Sequence, residues 1–159
     1  MATSDASTAD RQIVIERMVN APRELVWRAW TEADQIAAWW GPNGFTTTIH
    51  EMDVTVGGVW RFMMHGPDGT DYPNKVVYRQ IVKTERLVYD HDDDQDPPSH
   101  KFQTTVTFAA QGRKTKVTLR ALFDSADARA ASVKFGAIEG GAQTLARLGQ
   151  HVATMSETG

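Results

Sequence analysis

Two neighbouring runs constrain this chain more than anything else in it. Phe102, Thr104, Val106 and Phe108 fall on one face of a strand, Gln111-Gly112 turns the chain, and Val117, Leu119, Ala121 and Phe123 fall on the matching face of the next. Period-two alternation over both runs predicts an antiparallel hairpin, apolar on one side and wet on the other. An apolar sheet face must be covered, and the cover is encoded next. Ser125 is placed to cap a helix with Asp127 in its first turn, and no proline occurs from Ala126 to about Ala153. Ile138, Gly141, Ala142, Leu145, Leu148, Gly149 and Val152 form one stripe at the helical period, so the spacing predicts a single long C-terminal helix laid on the sheet.

The remaining segments add strands to that sheet and two short helices. Ile13, Ile15 and Val19 belong to a first strand that ends at Asn20-Ala21. Pro22 opens a helix carrying Leu25, Val26, Ala29 and Trp30. A second short helix is predicted from Thr31, read as its cap with Asp34 three residues on, to Trp40, where Gly41-Pro42-Asn43-Gly44 stops it. Strands follow at Phe45 to His50, Trp60 to His65, Lys75 to Val82 and Arg86 to His91, with Gly66-Pro67-Asp68-Gly69 as the strongest hairpin turn. The segment Asp90 to His100, DHDDDQDPPSH, reads as a polar, proline-containing loop. The order predicts an α+β fold with one domain over 11–154 and disordered tails at 1–10 and 155–159.

Composition removes several function classes. The 159-residue chain has a net charge of −3, which argues against the basic face that nucleic acid requires. It contains no cysteine, so a thiol nucleophile, a disulfide framework and any Cys-ligated metal are excluded. No apolar run reaches the roughly 18 residues of a membrane span, and the first ten residues lack the features of a secretory signal. The cytoplasm is the expected location. No cofactor motif of the G-x-G-x-x-G or Walker type occurs, and no serine sits in a G-x-S-x-G elbow. His65 with Asp68 and Asp71, and His91 with Asp92 to Asp94, match no recognised metal-ligand spacing, so no metal and no cofactor is assigned.

Four segments carry a resemblance: NAPRELVWRAWTEADQIAAWWGP at Asn20 to Pro42, GGVWRFMMHGPDG at Gly57 to Gly69 with the DYPN after it, ERLVYDHDD at Glu85 to Asp93, and FGAIEGGAQTLARL at Phe135 to Leu148. On these the chain resembles the SRPBCC (START-like, helix-grip) superfamily, more narrowly the bacterial relatives of the C-terminal domain of the activator of Hsp90 ATPase. The resemblance covers Arg11 to about Val152. It implies a curved antiparallel sheet gripping the long C-terminal helix, with two short helices after the first strand and a cavity between sheet and helix.

Candidate site residues come mainly from Trp39 to Tyr72, where aromatic and thioether side chains lie beside tight turns. Trp60, Phe62 and Met64 share one strand face, and with Tyr72 and Phe135 they are the expected apolar wall of a pocket. His65 and Glu139 are the expected polar anchors; together with Tyr72 they are also the candidates for acid–base chemistry. Trp27 and Trp30 are assigned to packing. Gly140-Gly141 lies mid-helix and fits either a thin cavity wall or plain helix–sheet contact. The residues point to a module that binds a hydrophobic small molecule rather than to an enzyme. A cochaperone-like role, implied by the resemblance, and a cyclase- or hydratase-like activity are the alternatives. No motif specifies an oligomer, and an exposed sheet edge leaves room for a homodimer.

Overall fold

The computed structural model describes residues 9–95 and 101–155. β1 (Gln12–Val19) leads into α1 (Arg23–Thr31) and α2 (Ala33–Trp39). Six strands follow: β2 (Thr46–Met52), β3 (Val59–His65), β4 (Asp71–Val82), β5 (Arg86–Asp92), β6 (Lys101–Gln111) and β7 (Lys114–Phe123). α3 (Ala126–Lys134) and α4 (Ala137–Val152) complete the order. The strands form one antiparallel sheet, β1-β7-β6-β5-β4-β3-β2. Consecutive β1 and β2 are therefore its opposite edges. The chain crosses the sheet through α1 and α2, then returns strand by strand until β7 pairs with β1. Register shifts at Ile49/Glu51 in β2 and Tyr78/Gln80 in β4 bend the sheet and give it its curvature.

The pairing register defines the inner face. Ile15 opposes Leu119, Leu119 opposes Val106, Val106 opposes Leu87, and Tyr89 opposes Tyr78. Farther along, Val76 opposes Trp60. Over this face the crossing helices place an aromatic cluster. Trp30 meets Trp39, Trp40 and Phe108 edge-on, and Trp40 bridges to Trp60 and Phe62. Trp39 Nε1 donates to the Ala29 carbonyl at 3.0 Å, which satisfies that indole inside the core. Leu145, Leu148 and Val152 of α4 belong to the same buried cluster.

Several expectations need correction. The C-terminal segment is two helices, because Gly136 adopts φ +96, where a right-handed helix cannot continue. Only α4 carries the apolar stripe; α3 has no buried residue, and nothing in the periodicity before Gly136 marked the break. Ser125 does cap α3, accepting from Ala128 N at 3.0 Å. Thr31 is not the cap of α2: it ends α1 with its hydroxyl donating to the Trp27 carbonyl, and Glu32 occupies the cap position. β4 begins at Asp71, earlier than the proline suggested. Pairing with β5 starts only at Lys75, so Pro73 lies where β4 has a strand on one side. The strand predicted to end at His91 runs on to Asp92 as β5, so Asp90 to Asp92 are not part of the expected loop; Asp90 holds Arg79 at 2.6 Å, and residues 96–100 lie outside the described residues. Of the two expected tails, residues 1–8 and 156–159 are likewise outside them, while Ala9–Arg11 forms a 3-10 turn with Arg11 Nη1 on the Phe123 carbonyl.

Candidate functional site

Among the described residues the inner face is sealed at one end and less fully covered at the other. Where α1 and α2 lie on it, Trp60, Leu87, Val106, Phe108 and Val117 are all buried. Toward the starts of β4 and β6 the same face changes character: Met64, Tyr72, Asn74, Phe102 and Ala121 are only half-buried. The cause lies in the cover. α4 lies along β1, with Gly141 against Ile15 and Leu119, whereas α3 contributes no buried side chain. The break at Gly136 thus ends the apolar cover before it reaches this end of the sheet.

A polar pair sits within this otherwise apolar region. In register, Phe62 opposes Asn74, His91 opposes Phe102, and Phe102 opposes Phe123, so these residues form a line across five strands. His91 Nε2 lies 2.8 Å from Asn74 Oδ1, and Asn74 Nδ2 donates to the Tyr72 carbonyl at 2.9 Å. The His91 ring packs against Phe102 at 4.8 Å and Phe62 at 5.9 Å between centroids. Desolvation by this burial lowers its pKa to about 4, so the imidazole is neutral near pH 7.

The residues chosen from sequence separate into groups. Trp60 and Phe62 stack at 4.2 Å and are buried, forming the floor where the core meets the open end. Met64 and Tyr72 face each other across β3 and β4, with Phe45 5.9 Å from Tyr72. His65 does not join them. One residue beyond Met64, it projects from the opposite face, where Nδ1 meets Asp71 and Nε2 meets the Thr48 hydroxyl, each at 2.8 Å. Phe135 is 82% exposed at the helix break, and Glu139 is exposed in the first turn of α4. His65, Tyr72 and Glu139 therefore form no common acid–base site. Asp68 accepts from Thr70 N in its turn, while His91 and Asp92, successive in β5, point to opposite faces and cannot share an ion.

Asn74, His91 and Phe102 were missed as site residues. The signal was present in β5, where Leu87, Tyr89 and His91 alternate inward. The acidic run after His91 masked it.

The rim near Met64 is held by α4. Arg147 Nη1 donates to the carbonyls of Gly41 and Pro42 at 2.8 and 2.9 Å, and Gln143 Oε1 accepts from Asn43 N at 3.0 Å. Partial burial lowers the Arg147 pKa by desolvation. A separate depression of about 330 Å³, lined by Glu16, Arg17, Met18, Gln111 and Lys116, lies at the β1–β7 end of the molecule. Its charged lining does not suit an apolar ligand.

Residues 20–153 match the family model described as activator of Hsp90 ATPase homolog 1-like protein. The chain belongs to that family. Solved structures agree on the helix-grip fold of this activator-of-Hsp90-ATPase-like chain. A protein from Arthrobacter aurescens superposes with a TM-score of 0.85 at 21% identity, covering 94% of this chain and 90% of that one. One from Nitrosomonas europaea gives 0.80 at 20% identity, covering 91% and 96%. A third, from Mycobacterium smegmatis, gives 0.79 at 20% identity, covering 96% and 94%. A search of the curated proteins returned no match. Among the described residues no helix is long and apolar enough to cross a membrane.

Proposed function

We propose that this protein binds a small apolar molecule on the open end of the inner sheet face, between β3–β7 and the α3–α4 break. The observation that carries this reading is the half-burial of Met64, Tyr72, Asn74, Phe102 and Ala121, side chains that face the core side of the sheet yet lack a full cover. Apolar surface left on a concave face gains from displacing water, at about 25 cal/mol per Å² buried. The floor continues into Phe62 and Trp60, so a bound molecule would lie next to tryptophan. Holding a ligand there needs no catalytic group, and His65, the sequence candidate for one, faces away.

Titration of intrinsic tryptophan fluorescence with a panel of lipids and aromatic polyketides tests the site. At least one class should shift the emission, and Phe102→Asp should abolish the response without lowering the melting temperature by more than a few degrees. A flat response to every class, or a response indifferent to Phe102→Asp, overturns the assignment.

A further inference from the structure

The hydrogen bonds around His91 determine which ring nitrogen carries its proton. Asn74 Nδ2 is committed to the Tyr72 carbonyl, which orients the amide so that Oδ1 faces His91. An amide oxygen only accepts, so His91 Nε2 must be the N–H donor. The other nitrogen, Nδ1, is then a bare lone pair in a side chain that is 9% exposed. Among the described residues it has no hydrogen-bond partner. Its surroundings are aromatic: Phe62, Tyr89 and Phe102 all pack on the ring.

We infer that His91 Nδ1 is the polar anchor of the site, selecting apolar molecules that present one neutral hydrogen-bond donor, such as a phenolic or alcoholic hydroxyl. This rests on the apolar-ligand reading above and narrows it to a chemical class. A ligand hydroxyl donates to Nδ1 while its hydrocarbon body covers Phe102, Met64 and Tyr72. Hydrocarbons leave the acceptor desolvated and unpaired, which weakens their binding. Carboxylates fare worse, since a neutral imidazole with a fixed tautomer offers them a lone pair instead of a proton.

Three probes of equal hydrocarbon body separate the classes: 4-butylphenol, 4-butyltoluene and 4-butylbenzoate, each titrated against the full chain by tryptophan fluorescence. The phenol should bind about fivefold or more tighter than the toluene, with the benzoate weakest. His91→Phe should erase the phenol preference while retaining toluene binding. A long-range ¹H–¹⁵N spectrum of the histidine-labelled wild type supplies a readout independent of any variant. It should show the Nε2–H tautomer in the free protein and a shift of the Nδ1 resonance on adding phenol. An Nδ1–H tautomer, or equal affinity for phenol and toluene, overturns the anchor while leaving the apolar site standing. If none of the three probes nor the wider panel binds, the site and its anchor fall together.

Discussion

Gly141 lets the backbone of α4 close onto Ile15 so tightly that a Cβ at this position would overlap the Ile15 δ1 methyl. The mid-helix glycine is therefore a contact point between helix and sheet, and at Gly141 the choice between close approach and a thin cavity wall is settled in favour of contact. Gly141→Ala gains helix propensity of about 1 kcal/mol but must push aside the end of the half-buried Ile15 side chain, which offsets that gain, so a net change of less than about 1 kcal/mol is expected. Removing the opposing methyl removes that offset: in an Ile15→Val background the same substitution should stabilise by the full propensity gain. A double-mutant cycle by chemical denaturation reads this coupling directly, and additive effects would refute it.

The same substitution at Gly136 acts by a different mechanism. Among the described residues, its chain neighbours aside, nothing lies within 4 Å of a Cβ built there, so packing against other elements contributes nothing. The φ of +96 is the whole cost, about 1–2 kcal/mol for an alanine forced into left-handed backbone. Gly136→Ala should therefore lower stability by that amount, and Gly136→Asn by less, since asparagine tolerates this region better. Comparable melting temperatures for all three proteins would mean that the break between α3 and α4 relaxes in solution.

The contrast between these two glycines shows what the sequence could reveal. Period-two and period-3.6 patterns made the sheet, α1 and the apolar stripe of α4 readable, because burial on one face is written into residue type. The break at Gly136 was not readable: a glycine inside an otherwise helical run is tolerated often enough that only its backbone angle decides. Site residues followed the same division. Alternation puts Trp60, Phe62 and Met64 on one face, and the register sets Tyr72 opposite Met64 on that same face. His65 was taken for an anchor from its chemistry, although the alternation that puts Met64 inward puts His65 outward. His91 falls in the predicted strand, but as a candidate ligand it is grouped with the aspartates after it, whereas alternation with Leu87 and Tyr89 in the same strand marks it as inward.

Tyr78 offers a test of the core. Among the described residues its buried hydroxyl has no hydrogen-bond partner, and its pKa is raised by desolvation and by nearby Tyr89 and Asp53. An unpaired buried hydroxyl costs about 1–3 kcal/mol, while the ring itself is fully packed. Tyr78→Phe removes the penalty and keeps the ring, so stability should rise by about 1 kcal/mol, or about 2–4 °C in melting temperature. A drop in melting temperature would show that the hydroxyl holds a partner such as a bound water.

Acid should find this protein's weak point at His91. The unfolded histidine titrates at its ordinary value of 6.5, whereas burial lowers the folded value to about 4. Between those limits the unfolded chain binds a proton that the folded chain refuses, so stability falls as pH drops from about 6.5 toward 4. A shift of this size corresponds to at most about 3 kcal/mol. His151, also lowered by desolvation, adds a smaller contribution of the same sign. Above pH 7 both states are neutral at these positions and the slope vanishes. Denaturation curves at half-unit intervals should show the decline in the wild type and a clearly shallower one in His91→Phe. That variant removes the buried titrating group while filling its space with an aromatic ring, so an unchanged acid slope would mean that His91 is charged and solvated in the folded protein.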